Sequence, residues 1–319
     1  MRFCLPLLLA LAGLLTSCDT EPAPVRLDFV GATGLTSSNR TAGAADTLTT
    51  RVYASSEEPL RRLQVQVSYE PTANPINYPT PASSYDPKDT PDGPTLIYLD
   101  SVFTSGQKNV LFQSRFSARS TSGTERWIYS ATDREGRTAS RAFRITVRKS
   151  DSLAVYHSYT LVARPAANGP EGRRFLALRP GLLLPKYAVN TQPENQKLVD
   201  LVFAMRQNDI SLETPDHSAL ALSTTRWPAA NRRPTSIRRA NLSRDAFQNA
   251  DTRDKLRDAY NNSPAYTSAN STGPLAKDNV LAFATRDPGS SDTRYGLLII
   301  NDIIRTPVPL VSCTVRIQK

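Results

Sequence analysis

The chain has 319 residues, 39% of them hydrophobic, with 24 Pro, 14 Gly, three Cys and a formal charge of +10. That length and apolar content fit two ordinary domains with packed cores. The prolines and a mean hydropathy of −0.38 point to short strands and long polar loops rather than to helical bundles, and three cysteines are too few for a disulfide scaffold.

The N-terminus carries Arg2, an apolar run from Leu5 to Leu15, and the small residues Thr16 and Ser17 before Cys18. This is the layout of a secretory signal, and the run falls short of the roughly 20 residues that a membrane-spanning helix needs. Leu15-Thr16-Ser17-Cys18 resembles the lipobox of bacterial lipoproteins, in which the cysteine is diacylated and the chain is cut just before it. The resemblance implies a signal peptide over 1–17, a lipidated Cys18 that anchors the protein in a membrane, and a polar tether over 18–24. Cys4 leaves with the signal, so Cys313 stands alone and no intramolecular disulfide can form. The Thr-Val-Arg-Ile stretch after Cys313 reads as a strand with a buried thiol; a catalytic thiol there would lack a nearby His.

Residues 25–149 read as one all-β unit. Val25 to Val30, Leu48 to Tyr53, Leu63 to Tyr69 and Asn109 to Phe116 alternate with period two, as half-buried strands do. Between the last two lies a proline-rich loop with tyrosines at 69, 78, 85 and 98, a potential contact surface. Its Asp86, Asp89 and Asp92 lack the spacing of a calcium loop. Trp127, Tyr129 and Ala131 point inward on one arm of a hairpin that turns over Asp133 to Gly136 and returns along Ala142 to Val147. That ending resembles the last two strands of bacterial immunoglobulin-like domains, which implies an immunoglobulin-like β-sandwich.

The polar stretch Lys149 to Ser152 marks a boundary with few expected contacts across it, and residues 153–319 form a second, β-rich (α+β) unit. It opens with Leu153 to Arg164. Lys197 to Met205 reads as a central strand, and 243–261 as a short helical insertion, capped by Ser243 and breaking into two helices near Asp251-Thr252. Strands follow over Asn279 to Thr285, Tyr295 to Ile304 and Leu310 to Ile317. Phe175 to Leu178, Val199 to Phe203, Leu212 to Asp216, Trp227, Asp245 to Phe247, Asp258 to Tyr260, Val280 to Phe283, Gly296 to Ile299 and Val315 to Ile317 together resemble a domain of cell-envelope lipoproteins of the Bacteroidota. The resemblance implies an outer-membrane location, with the face left open, and brings no catalytic residues. It also gives meaning to Asp46-Thr47-Leu48, Asp100-Ser101-Val102 and Asp151-Ser152-Leu153. These match the D-[ST]-apolar acceptor pattern of O-glycosylation in that phylum, at Thr47, Ser101 and Ser152.

Chemistry is sparse. His157 and His217 are the two imidazoles, and no G-x-S-x-G, H-E-x-x-H, Walker loop or Cys-His pair occurs, so neither a metal nor a cofactor is expected. Paired carboxylates acting on a glycan stay open, as a hydrolase in the second unit. That hydrolase is the alternative to the main reading, a non-enzymatic binding or scaffolding role with recognition through the segment that holds Arg226, Trp227, Arg232, Arg233, Arg238, Arg239 and Arg244. In an exported protein such charge meets acidic glycan, lipopolysaccharide or another envelope protein rather than nucleic acid. A deep cleft with paired acids would favour the enzyme; a Tyr- and Arg-lined surface would favour binding.

Overall fold

The computed structural model describes residues 24–43, 46–71, 95–119, 123–147, 155–165, 172–190, 192–206 and 208–319. Cys18 and its signal, the tether up to residue 23, most of the proline-rich loop with Asp86, Asp89 and Asp92, the stretch 149–152 and Ser152 lie outside the described residues. The chain is mostly β. In the first unit, β1 (Arg26–Phe29), β3 (Thr47–Ser55) and β6 (Asn109–Ser117) make a sheet of order β1-β3-β6. The facing sheet holds β2 (Arg40–Ala42), β8 (Thr138–Val147), β7 (Gly123–Asp133), β4 (Leu60–Pro71) and β5 (Thr95–Val102), in that order. Leu63, Val65, Val67, Trp127, Tyr129 and Ala131 are buried between the sheets, as their alternation predicts. Gly136 closes the β7–β8 turn with φ +82°, a conformation that glycine adopts without a Cβ clash.

Two features of the predicted loop differ. Thr95–Val102 is a strand paired with β4, and Tyr69 and Tyr98 are buried on β4 and β5, so neither belongs to an exposed contact surface. The bulky Leu-Ile-Tyr-Leu core of β5, with β-branched Ile97 and aromatic Tyr98, pairs in spite of the prolines before it, because β4 offers an open ladder.

The second unit is a pair of stacked sheets. One has the order β11 (Leu182–Pro185), β10 (Arg173–Ala177), β12 (Leu201–Arg206), β13 (Asp209–Glu213). The other has the order β14 (Thr235–Ala240), β15 (Val280–Arg286), β16 (Thr293–Ile304), β17 (Leu310–Gln318), β9 (Tyr156–Ala163). Short helices α1 (Lys186–Asn190) and α2 (Pro193–Gln196) follow β11, while α3 (Arg244–Gln248) and α4 (Arg253–Asn261) cover the outer face of the five-stranded sheet. The two-helix reading of 243–261 holds: Ser243 Oγ accepts from Ala246 N and Thr252 Oγ1 from Lys255 N, one N-cap on each side of the break. Cys313 is fully buried on β17, where burial pushes its thiol well above the usual range.

The four-stranded sheet is buried on both faces, and this couples the two units. Phe175, Leu184, Val199, Val202 and Trp227 join the core of the first unit, while Leu176, Leu183, Leu201 and Phe203 join the core between the stacked sheets. A strand with two buried faces reads as a continuous apolar run instead of an alternating one, which is why Leu201 to Ala204 and Leu182 to Leu184 look as they do. Polar contacts reinforce the seam: Asn195 Nδ2 donates to Ile97 O at 2.8 Å, Arg173 donates to Thr47 Oγ1 at 3.2 Å, and the Tyr98 and Tyr187 rings meet edge-on at 5.6 Å. The expectation of few contacts between the units is therefore corrected; they share one core.

Candidate functional site

The outer face of the five-stranded sheet is unevenly covered. Side chains two residues apart on a strand share a face, and directly paired residues form rows across it. Arg238, Ala282 and Leu297 make one such row; Ser236, Ala284 and Tyr295 make the next; Arg286 and Thr293 continue it. Helix α4 lies over the first row with Leu256 and ends at Asn261, so the later rows stay open beyond its last turn. Between the taller Ser236 and Tyr295, the methyl of Ala284 leaves a depression. A groove of about 410 Å³ results, lined by these residues with Tyr260 from α4 and Asp216 from the turn after β13.

Its aromatic wall is fixed. The Tyr260 and Tyr295 rings stand 5.5 Å apart at 55°, and the Tyr260 hydroxyl shares a 2.6 Å hydrogen bond with Ser236 Oγ. Arg238 lies 4.7 Å from the centre of the Tyr260 ring and donates to Asn261 O and Ser263 O, the carbonyl end of α4, where a cation is favoured. Arg286 is exposed and makes no ion pair among the described residues. Asp216, the one carboxylate in the lining, has Arg232 at 3.8 Å. The groove thus offers two ring faces, hydroxyls and a free guanidinium, the groups that recognise a sugar bearing an acid.

The Arg-rich segment does not form a patch. Trp227 is 4% exposed and packs on Phe175 at 5.6 Å between ring centres, with its indole N–H directed to Asn231 O, so it is a core residue and cannot stack on a sugar. Arg233 is also 4% exposed. It forms ion pairs with Asp200, at 3.1 Å, and with Asp287, and its guanidinium is withdrawn from the surface. Asp200 also accepts from Leu178 N at 2.7 Å and from Thr285 Oγ1 at 2.5 Å. Burial pushes its carboxyl up, against the pull of Arg233 and these donors. Arg238 and Arg239 are neighbours in β14 and project to opposite faces. Arg226 is exposed, and Arg244 pairs with Asp278.

The remaining sites fall apart similarly. His157 lies on β9, and His217 Nδ1 sits 2.8 Å from Glu213 after β13. Glu213 is buried, which disfavours its charge, but Arg206, His217 and Ser211 outweigh that and hold its carboxyl below the usual range. No group of three or more metal-ligating side chains occurs among the described residues. Thr47 begins β3 and is exposed; Ser101 is half-buried on the edge strand β5. No described helix is long and apolar enough to cross a membrane.

No family model matches the chain. No curated protein matches it. Among solved structures, the sporulation control protein Spo0M from Bacillus subtilis is similar over 63% of this chain and 82% of its own, at 11% identity and a TM-score of 0.23, a likeness too slight to bear on fold or function.

Proposed function

We propose that this protein is a lipid-anchored component of the bacterial cell envelope that binds an acidic glycan in the Tyr260–Tyr295 groove. The anchor rests on Leu15-Thr16-Ser17-Cys18 and the prolyl tether after it, in the manner of the Bacteroidota envelope lipoproteins that the second unit resembles. Several acyl chains, at about 0.8 kcal/mol per buried CH₂, would hold the protein firmly on a membrane. An immunoglobulin-like reading of the first unit draws support from its two facing sheets and the β7–β8 hairpin. The observation that carries the binding role is the groove itself: paired tyrosine rings beside the unpaired Arg286.

A glycan hydrolase is the rival. Glycoside hydrolysis uses two carboxyl groups flanking the scissile bond, about 5 to 9.5 Å apart. Asp216 is the one carboxylate in the groove's lining, and Arg232 is beside it. Binding is thus the better-supported reading.

The test is retention of the full chain, in detergent, on a polyuronate resin. An exposed ion pair contributes only about 0 to 1 kcal/mol and is screened by salt, so retention should fall steadily as salt rises. Arg286→Gln should elute earlier than the parent, and Arg226→Gln, on the exposed segment outside the groove, should not. Equal elution of all three would overturn the reading, and release of reducing ends from the polymer would decide for the hydrolase.

A further inference from the structure

A second depression lies where β14 runs out, at the opposite end of that strand from the groove. Residues of β14 alternate: Ile237 enters the core between the stacked sheets, and Arg239, two residues on, shares that side. The chain returns past it along 264–279, with Tyr266 and Leu275 packed on the same core. Between them is a cleft of about 350 Å³, near the lower end of the range for small-molecule sites. Its lining is polar: Arg239, Asn241, Tyr266, Thr272, Asp278 and Asn279 contribute.

Charge within it is unbalanced. Asp278 is engaged by Arg244 through Oδ1 at 2.5 Å, and Arg244 also donates to Asn301. Arg239 is exposed, makes no ion pair among the described residues, and has its guanidinium carbon 5.6 Å from the centre of the Tyr266 ring. Burial pushes the Tyr266 hydroxyl up to about 12, against the pull of Arg239, so it stays a neutral donor at pH 7. Asn279 Oδ1 accepts from Ala276 N at 2.7 Å, which fixes the side chain and leaves its amide N–H groups to donate. Asp278 Oδ2 and Asn241 can accept hydroxyls.

We propose that this cleft is a second binding site, for one small hydroxylated carboxylate such as a sugar acid, with the carboxylate on Arg239 and the hydroxyls on Asn241, Asp278 and Asn279. A guanidinium presents parallel N–H donors that a carboxylate accepts in pairs, and a ring face beside it suits the apolar side of a sugar. The site is independent of the groove, because the Arg286 and Arg239 side chains leave the sheet on opposite faces.

The test is ligand-observed saturation-transfer NMR on the full chain with D-glucuronate as the probe. Arg286→Gln removes the groove's cation and serves as the background. In that background, glucuronate should show saturable transfer, D-glucose should show at least several-fold less, and adding Arg239→Gln should abolish the glucuronate signal. Arg239 is exposed, so its substitution leaves the core intact; unchanged far-ultraviolet circular dichroism checks this. An undiminished signal in the double variant, equal transfer to glucose, or no transfer at all would overturn the proposal. Loss of signal with Arg286→Gln alone would place the only carboxylate site in the groove, which overturns this inference and spares the reading it accompanies.

Discussion

Leu184→Ala tests whether the four-stranded sheet joins the two units into one cooperative structure. Leu184 lies on β11 in the second unit, is 2% exposed, and packs into the core of the first. The substitution removes three carbons, worth about 2.4 kcal/mol at about 0.8 kcal/mol each. A cavity term adds to this because neighbours collapse only partly, which places the cost at about 3 to 4 kcal/mol, inside the range of about 2 to 5 measured for such changes. For a cooperative unit of this size, about 2 °C per kcal/mol gives a fall in Tm of about 6 to 8 °C. The assay is thermal unfolding followed by near-ultraviolet circular dichroism, which reports the Tyr98–Trp127 cluster of the first unit, alongside calorimetry. One transition should move as a whole. Leu111→Ala, at a residue 64% exposed, should cost under about 0.5 kcal/mol. Two transitions, with only the one from the second unit displaced, would refute the shared core.

Arg233→Met should destabilise by about 3 to 5 kcal/mol in denaturant unfolding, because it strands the buried Asp200 carboxylate, and adding Asp200→Asn should recover much of the loss. Glu213, whose carboxyl is held below its unfolded value, contributes stability above the ordinary value of about 4.3 that disappears as pH falls through the depressed one. Glu213→Gln should accordingly flatten the acid limb of the stability profile; an unchanged limb would count against that pair. Gly296→Ala would drive a Cβ into the Phe283 ring and the Arg316 backbone carbonyl in a full core, so a cost of about 3 kcal/mol, at the upper end for overpacking, is expected by chemical unfolding.

Much of the fold is visible in residue patterns because local rules operate there. Period-two alternation marks β3, β4 and β7, and the hydroxyls of Ser243 and Thr252 announce two helix starts. The near-continuous run within Lys197 to Met205 is legible as a central strand, although the strand starts only at Leu201, and its meaning, a sheet covered on both sides by different units, depends on partners far along the chain. The acid inside that run is the signal that could have corrected the Arg-rich segment. A carboxylate amid apolar residues needs a buried cation, and Arg233 supplies it. Clustering in sequence, by contrast, misplaces Arg238 and Arg239, which strand geometry separates to two faces. The groove has no local signature at all. Ser236, Tyr260, Ala284 and Tyr295 come from three strands and a helix; only the β14–β15–β16 register brings Ser236, Ala284 and Tyr295 into one row, and helix packing sets Tyr260 beside it.

Amide hydrogen exchange on the full chain, with and without an oligouronate, examines the groove most directly. Binding there should slow exchange in the segments around Ser236, Tyr260, 284–286 and 293–295, and leave 226–233 as in the free protein. Protection confined to 226–233, or none at saturating oligouronate, would contradict the assignment of the glycan site to the tyrosine-lined groove.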